Sequence, residues 1–211
     1  MKIKKNAVII LAVVVSFFLF GGFAYEGNEF YHNSLQQSIA HKVIRFHVIA
    51  NSDSEKDQRL KLAVRDGIGN YMEHLLRDSG SIEESRLIVN SRKREIRKLA
   101  QEILHNRGCK EAVKVTLTHT KFPIKTYGKY TLPAGSYEAL EVIIGEGEGK
   151  NWWCVLYPNL CFQNAVYGIS EQRESRELKK TLTSKEYESI MDNDNYIIKF
   201  RFWDLIKEMI E

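Results

Sequence analysis

"KVIRFHVIANSDSEKDQRLKLAVRDGIGNYMEHLLRD", residues 42–78, changes its hydrophobic period part-way, and that change decides the fold. Residues 42–51 alternate. Ile44, Phe46 and Val48 lie on one face, with Val43, Arg45, His47 and Ile49 on the other, the pattern of a half-buried strand. Asn51-Ser52-Asp53-Ser54 breaks it, and Ser54 with Asp57 has the spacing of a helix start with acidic residues in the first turn. From Glu55 to Asp78, Leu60, Val64, Ile68, Tyr71, Met72 and Leu75 recur at three- and four-residue steps, one stripe of an amphipathic helix. Gly67 and Gly69 weaken its middle by roughly 1 kcal/mol each, so packing must hold it.

Outward from this stretch, Gly80 and Ser81 end one helix and begin another. Ser81 and Glu84 have capping-box spacing, Leu87, Ile88, Ile96, Leu99, Ile103 and Leu104 supply its apolar positions, and Gly108 is the stop. Period 2 then returns in "AVKVTLTHT" (112–120) and "SYEALEVII" (136–144), with turns at Phe122-Pro123 and Leu132–Gly135 and a short extended piece at 129–132. Trp152–Tyr157 and Leu160–Gln163 read as strands around a Pro158-Asn159 turn. Residues 164–194 are charged and partly helical, "YIIKFRFW" (196–203) alternates again, and a last helical turn or two follows. Two helices inserted after the first strand, then strands adjacent in sequence, predict an α+β fold: one compact domain over 42–211, with a mainly antiparallel sheet and its weakest patterning at 166–194.

The first 24 residues, "MKIKKNAVIILAVVVSFFLFGGFA", have a cationic start, an uncharged apolar run and a small-x-small end at Gly22-Phe23-Ala24. This is the layout of a secretory signal, or of an uncleaved anchor near the lower length limit for a bilayer span. In both cases the lysines stay cytoplasmic and the body is expected outside the membrane. Residues 25–41 form a polar lead-in. Three of the 31 basic residues are Lys2, Lys4 and Lys5, so the rest carries 28 basic against 27 acidic side chains. A body this close to neutral gives no reason to expect nucleic acid as a partner.

"GEGEGKNWWCVLYPNLCF" (145–162) gathers the residues that invite chemistry. It is no phosphate loop: Gly145 stands one residue too close to Gly149-Lys150, Asn151 replaces the hydroxyl residue, and Glu146 and Glu148 repel phosphate. A link between hairpin strands is the simpler reading. Metal is not expected either, since Cys154 and Cys161 lack a second close pair and the histidines are scattered. A thiol enzyme would use Cys154 as nucleophile with His47 or His119 as base. Outside the membrane, a Cys154–Cys161 disulfide across the turn assumes less, although a two-residue turn would set Cys161 opposite Leu156. Trp152 and Trp153 point to opposite faces of an extended strand, so one is expected in the core and the other near the surface as a partner anchor. Arg92, Lys93, Arg94, Arg97 and Lys98 read as a solvated helix face, and Asp53, Glu55 and Asp57 as helix-capping chemistry.

Together, "RFHVIANSDSEKDQRLKLAVRD" (45–66), "FPIKTYGKYTLPAGSYEALEVIIGEGEGKNWWCVLYPNLCF" (122–162) and the exported start resemble stage II sporulation protein R, a secreted signalling family of endospore-forming bacteria. The resemblance covers roughly residues 40–165. Asn159 departs from a proline frequent in the family, and the tail from 166 matches weakly. The resemblance implies a protein exported through the secretion machinery into the space between the two membranes of the sporulating cell. There it would activate a membrane-embedded aspartic protease of the mother cell, which cleaves a sigma-factor precursor. A ligand of this kind needs no cofactor, metal or small-molecule substrate. Trp152, Trp153, Tyr157 and Pro158 are the expected contact residues, with Arg45, His47, Asn51, Ser52, Asp53 and Asp57 as a second surface.

Overall fold

A computed structural model describes residues 34–158, 160 and 171–191. The chain divides into two compact units, Met1–Gln37 and Ser38–Glu211. Of the first, only 34–37 are described, and they are helical; all that follows concerns the second. The leader over 1–24, the strands expected at 160–163 and 196–203 and the final helical turns fall outside the described residues, Leu160 excepted. Among the described residues no helix is long and apolar enough to cross a membrane.

The fold is α+β. Strand β1 (Ile44–Ile49) is followed by helices α1 (Glu55–Leu76), α2 (Ile82–Ser91) and α3 (Lys93–His105), then by β2 (Val113–Phe122), β3 (Lys125–Tyr127), β4 (Tyr130–Leu132), β5 (Gly135–Ile144) and β6 (Asn151–Tyr157). Helices α4 (Glu171–Thr181) and α5 (Ser184–Met191) come last among the described elements. The four-stranded sheet runs in the order β2-β5-β1-β6, and β3 with β4 forms a separate two-stranded ladder. β1 pairs antiparallel with β6 and β5 with β2, whereas β1 and β5 are parallel, so the sheet is mixed but mainly antiparallel.

β1 is therefore an inner strand, not half-buried as its alternation suggests: Val43 through Val48 are all buried. Register puts Phe46, Val48, Leu140, Val142, Trp152 and Cys154 on one face of the sheet and Arg45, His47, Tyr137, Ala139, Glu141, Trp153 and Val155 on the other. The helical layer covers the first face. Arg65 of α1 lies over the Trp152 ring, 5.2 Å from its centre, and Arg86 of α2 pairs with Glu138 at 2.8 Å. β3, β4 and α5 lie toward the second: Tyr127 of β3 bonds Arg45, and the rings of Tyr130 and Tyr187 stand 6.1 Å apart.

The helix expected from Ser81 to Gly108 is two helices. At Arg92 the backbone leaves the helical region (φ −97°, ψ 5°), and the Ser91 hydroxyl donates to the Ile88 carbonyl, competing with the helix ladder. The break lets each half aim its own buried face: Ser85 and Val89 on α2, then Ile96, Ala100 and Leu104 on α3. Leu87, expected in the core, is 70% exposed. In α1 one of the two glycines that weaken the helix, Gly67, has a packing role. A Cβ on Gly67 would collide with the Ile103 side chain of α3, so its absence lets the two helices approach.

Candidate functional site

Two groups of residues stand out, one at the end of the sheet where β1 and β5 finish and one near the end where they begin. The first is a clasp. Asp57, in the first turn of α1, accepts hydrogen bonds from the Ser52 hydroxyl at 2.6 Å and the Asn51 amide at 3.1 Å. Those bonds hold its carboxyl below the ordinary carboxylate range, so it stays ionised and acts as a fixed acceptor. Ser54 caps the same helix by accepting from the Asp57 N–H. The turn thus organised receives the β5–β6 connection. The Asn51 side chain accepts from the Glu146 N–H at 3.0 Å, Asp53 from the Lys150 N–H at 2.6 Å, and the Ala50 carbonyl from the Gly149 N–H at 2.9 Å. Lys61, almost wholly buried, donates to Gln58 and to the Lys150 carbonyl, closing the loop from the α1 side.

This connection does not link hairpin partners. β5 and β6 flank β1, so residues 145–150 must cross over the end of β1. That explains their composition. Gly145 and Gly147 adopt positive φ, where a side chain is strained, and a Cβ on Gly149 would run into the Ser52 backbone carbonyl. Gly149→Ala is expected to destabilise the protein by about 1–2 kcal/mol and to raise hydrogen exchange at the Glu146 and Lys150 amides. A variant with unchanged melting and exchange would show that the clasp does not hold the loop.

The second group is a cation set among rings on the far face of the sheet. The Arg45 side chain, wholly buried, donates to the Cys154 carbonyl at 2.9 Å and the Tyr127 hydroxyl at 2.8 Å. Its guanidinium lies 4.2 Å from the Phe122 ring centre and 4.9 Å from that of Tyr137. Beside it, His47 stacks on Trp153 with centroids 3.7 Å apart, and its Nδ1 is 3.4 Å from a Glu141 oxygen. Burial depresses the His47 pKa against the raising influence of Asn151 and Glu141, so the ring is neutral at pH 7.

These placements revise the expected site. Arg45 and His47 are buried and serve the core, because an inner strand has no solvent face; they leave the second contact surface, where Asn51, Ser52, Asp53 and Asp57 remain together. Pro158, on a cis bond after Tyr157, is buried as well, while Tyr157 is half-buried. Neither tryptophan is fully buried or fully exposed: Trp152 meets Phe46 edge-on at 5.5 Å and Trp153 lies over His47, each half-covered on its own face. Register places Cys154 opposite Phe46 and His47 opposite Trp153. His47 and the Cys154 thiol position thus lie on opposite faces, and His47 cannot serve Cys154 as a base. Cys154 is buried in β6, and Cys161 lies outside the described residues; Cys109 is a buried free thiol. Sequence reasoning missed Phe122, Tyr127, Tyr137 and Glu141 around the buried Arg45 and His47, and Gln58 and Lys61 in the clasp. A lone arginine in an apolar strand was the available signal.

The sequence pattern of the family described as stage II sporulation protein R matches residues 40–167. The chain belongs to this family. Stage II sporulation protein R of Bacillus subtilis (strain 168) is similar to it, 38% identical over 153 residues, which cover 72% of this chain and 68% of that protein. The protein therefore has a sporulation role, and its family is described by that role and not by an enzymatic activity. No solved structure matches. The family match holds the whole four-stranded sheet, α1 to α3, the clasp and the buried Arg45 cluster, whereas α4 and α5 fall beyond it.

Proposed function

We propose that this member of the stage II sporulation protein R family is exported and signals from outside the cytoplasmic membrane. Its partner is a membrane-embedded aspartic protease of the mother cell, whose activation leads to cleavage of a sigma-factor precursor. The contact is the clasp end of the domain: Trp152 with the exposed Asp53, Glu146, Glu148 and Lys150. The observation that carries this choice is the clasp itself. Asn51, Asp53 and Lys61 fix a glycine-rich loop on the family-matched core, and a half-exposed tryptophan stands two residues after its last clasped amide. A fixed backbone beside an amphipathic ring lowers the ordering cost of binding. In the same reading, Cys154 and Cys161 form a disulfide that braces the end of β6.

The test is a reconstitution of the protease and the precursor in vesicles, with this protein supplied on the outer side. Trp152→Ala is expected to reduce precursor cleavage at least tenfold, as loss of an interface anchor does. Because Trp152 also packs on Phe46, Glu146→Lys/Glu148→Lys provides a second variant whose altered side chains are solvent-directed. Full cleavage with both variants would refute the clasp end as the contact, and no cleavage dependence on the wild-type protein would refute the signalling role. Mass spectrometry of the exported protein with and without reduction reads the leader and the cysteines together. An N-terminus at Tyr25 and a reducible Cys154–Cys161 link are expected, and an alkylatable Cys154 would remove the disulfide from the proposal.

A further inference from the structure

The cations of α3 are not explained by the fold. α1 and α2 begin as helix electrostatics favour, with Ser54 and Ser81 accepting from the chain and acidic residues in both first turns. α3 begins differently, with only Glu95 acidic in its first turn. Its N-cap residue, Arg92, makes no side-chain cap bond, and Lys93 and Arg94 place two positive charges where the helix dipole opposes them. Arg94, Arg97 and Lys98 follow at three- and four-residue spacing, neighbours whose like charges also disfavour the helix. Glu95 reaches Arg92 at 3.4 Å and Glu102 reaches Lys98 at 3.8 Å, but among the described residues Lys93, Arg94 and Arg97 have no ion pair.

The charge is also concentrated. Residues 92–107 hold six cations and two carboxylates, a net +4, while residues 25–211 as a whole stand at +1, so the remainder is net −3. Ile96, Ala100 and Leu104 bury the inner face of α3, which leaves Arg94, Arg97 and Lys98 exposed on the outer one with His105 in line. A local rule broken here, offset only by the exposed Arg92–Glu95 and Lys98–Glu102 pairs, points to a use outside the fold.

We propose that the outer face of α3, carried by Arg94, Arg97 and Lys98, docks on anionic lipid headgroups. The ridge has long flexible cations and no aromatic or aliphatic anchor, which suits a diffuse plane of phosphates and not the shaped, desolvated pocket of a protein contact. Binding is electrostatic, without insertion. It would hold the domain flat against an anionic membrane with the helical layer toward the lipid.

The experiment is flotation of the full chain with vesicles of phosphatidylcholine alone or with about a third phosphatidylglycerol, in low and high salt. The comparison protein carries Arg94→Gln, Arg97→Gln and Lys98→Gln, changes that relieve like-charge contacts and so do not threaten the helix. Wild type is expected to prefer the anionic vesicles, and the variant to lose that preference by roughly 100-fold, about fivefold per charge, with the wild-type preference fading in high salt. The N-terminal leader is identical in both proteins, so the difference isolates α3. Equal partitioning of the two proteins, or no anionic preference in wild type, would overturn the proposal. So would a variant that keeps wild-type vesicle binding but fails to activate the protease, since the ridge would then be a protein contact. Vesicle binding is read without the protease, so its failure leaves the signalling proposal standing.

Discussion

Arg45→Ala is expected to lower the free energy of unfolding by about 3–5 kcal/mol, measured by urea denaturation at neutral pH. The side chain sits near the start of an inner strand and is wholly buried. Its charge is held there by the ring faces of Phe122, Tyr137 and Tyr127 and by acceptors at Cys154 and Tyr127. Burial lowers its pKa, while the tyrosines oppose that shift. A guanidinium does not deprotonate in proteins, so the charge remains. Truncation to alanine opens a cavity among the rings and leaves the Cys154 carbonyl short of a donor. Arg45→Lys is expected to recover less than half the loss, because an ammonium cannot both stack on Phe122 and serve two acceptors. Arg45→Met should be milder than alanine, since it keeps the stem and places no charge in the site. A loss below 1 kcal/mol for Arg45→Ala would mean that the rings collapse on the vacancy and that the arginine is not the organiser of this face.

Glu186 on α5 carries the second large effect. It is almost fully buried, and it takes a bidentate ion pair from Lys42 (2.7 and 2.9 Å), a hydrogen bond from the Ser38 hydroxyl and one from the Thr183 N–H at 2.7 Å. Burial alone would raise its pKa, yet Lys42, Ser38 and Thr183 outweigh it and bring the carboxyl to about 2. Glu186→Gln is expected to cost about 2 kcal/mol, less than the 3–5 typical of a broken buried pair, because Lys42 is 31% exposed and can turn to water. The sign with pH follows from the depressed value. The unfolded carboxyl takes up a proton first, so the stabilisation is complete above pH 4.5 and is lost as pH falls from there toward 2. His47, also depressed, adds an earlier decline starting below its ordinary 6.5, because the unfolded imidazole binds protons that the buried ring refuses. Melting temperature followed from pH 7.5 to 2.5 is expected to fall in these two stages. Glu186→Gln should flatten the lower stage and His47→Gln the upper one; a wild-type curve with no lower stage would discard the ion pair as a source of stability.

How far the sequence could be read depended on whether the deciding contacts were local. The Ser54 and Ser81 caps were legible, because a cap is settled within four residues. The α+β class was legible too, from the change of period after Gly108. The inner position of β1 was not: alternation in residues 43–49 suggests one wet face, and only the pairing with β5 and β6, some hundred residues later, removes it. The same non-local pairing turned the expected hairpin link at 145–150 into a crossover, and so gave Asn51 and Asp53 a loop to hold besides a helix to cap. The break at Arg92 escaped notice since every residue from Glu83 to Glu95 tolerates a helix, and only the direction of the buried faces on either side requires the bend. Of the candidate site, Trp152 and the 51–57 turn could be nominated from sequence, whereas the burial of Arg45, His47 and Pro158 could be seen only with the sheet assembled.

The place of β1 between β5 and β6 has a consequence for when the protein can fold. The strand is completed early in synthesis, but neither of its neighbours exists until the chain has reached residues 135–157. At about 5–20 residues per second that leaves an apolar segment unpaired for roughly 5–20 s, and its long-range closure makes the sheet slow to form even afterwards. Under the proposed export, such a delay keeps the nascent chain threadable: it meets the translocation pore extended, and its native sheet closes only on the far side of the membrane.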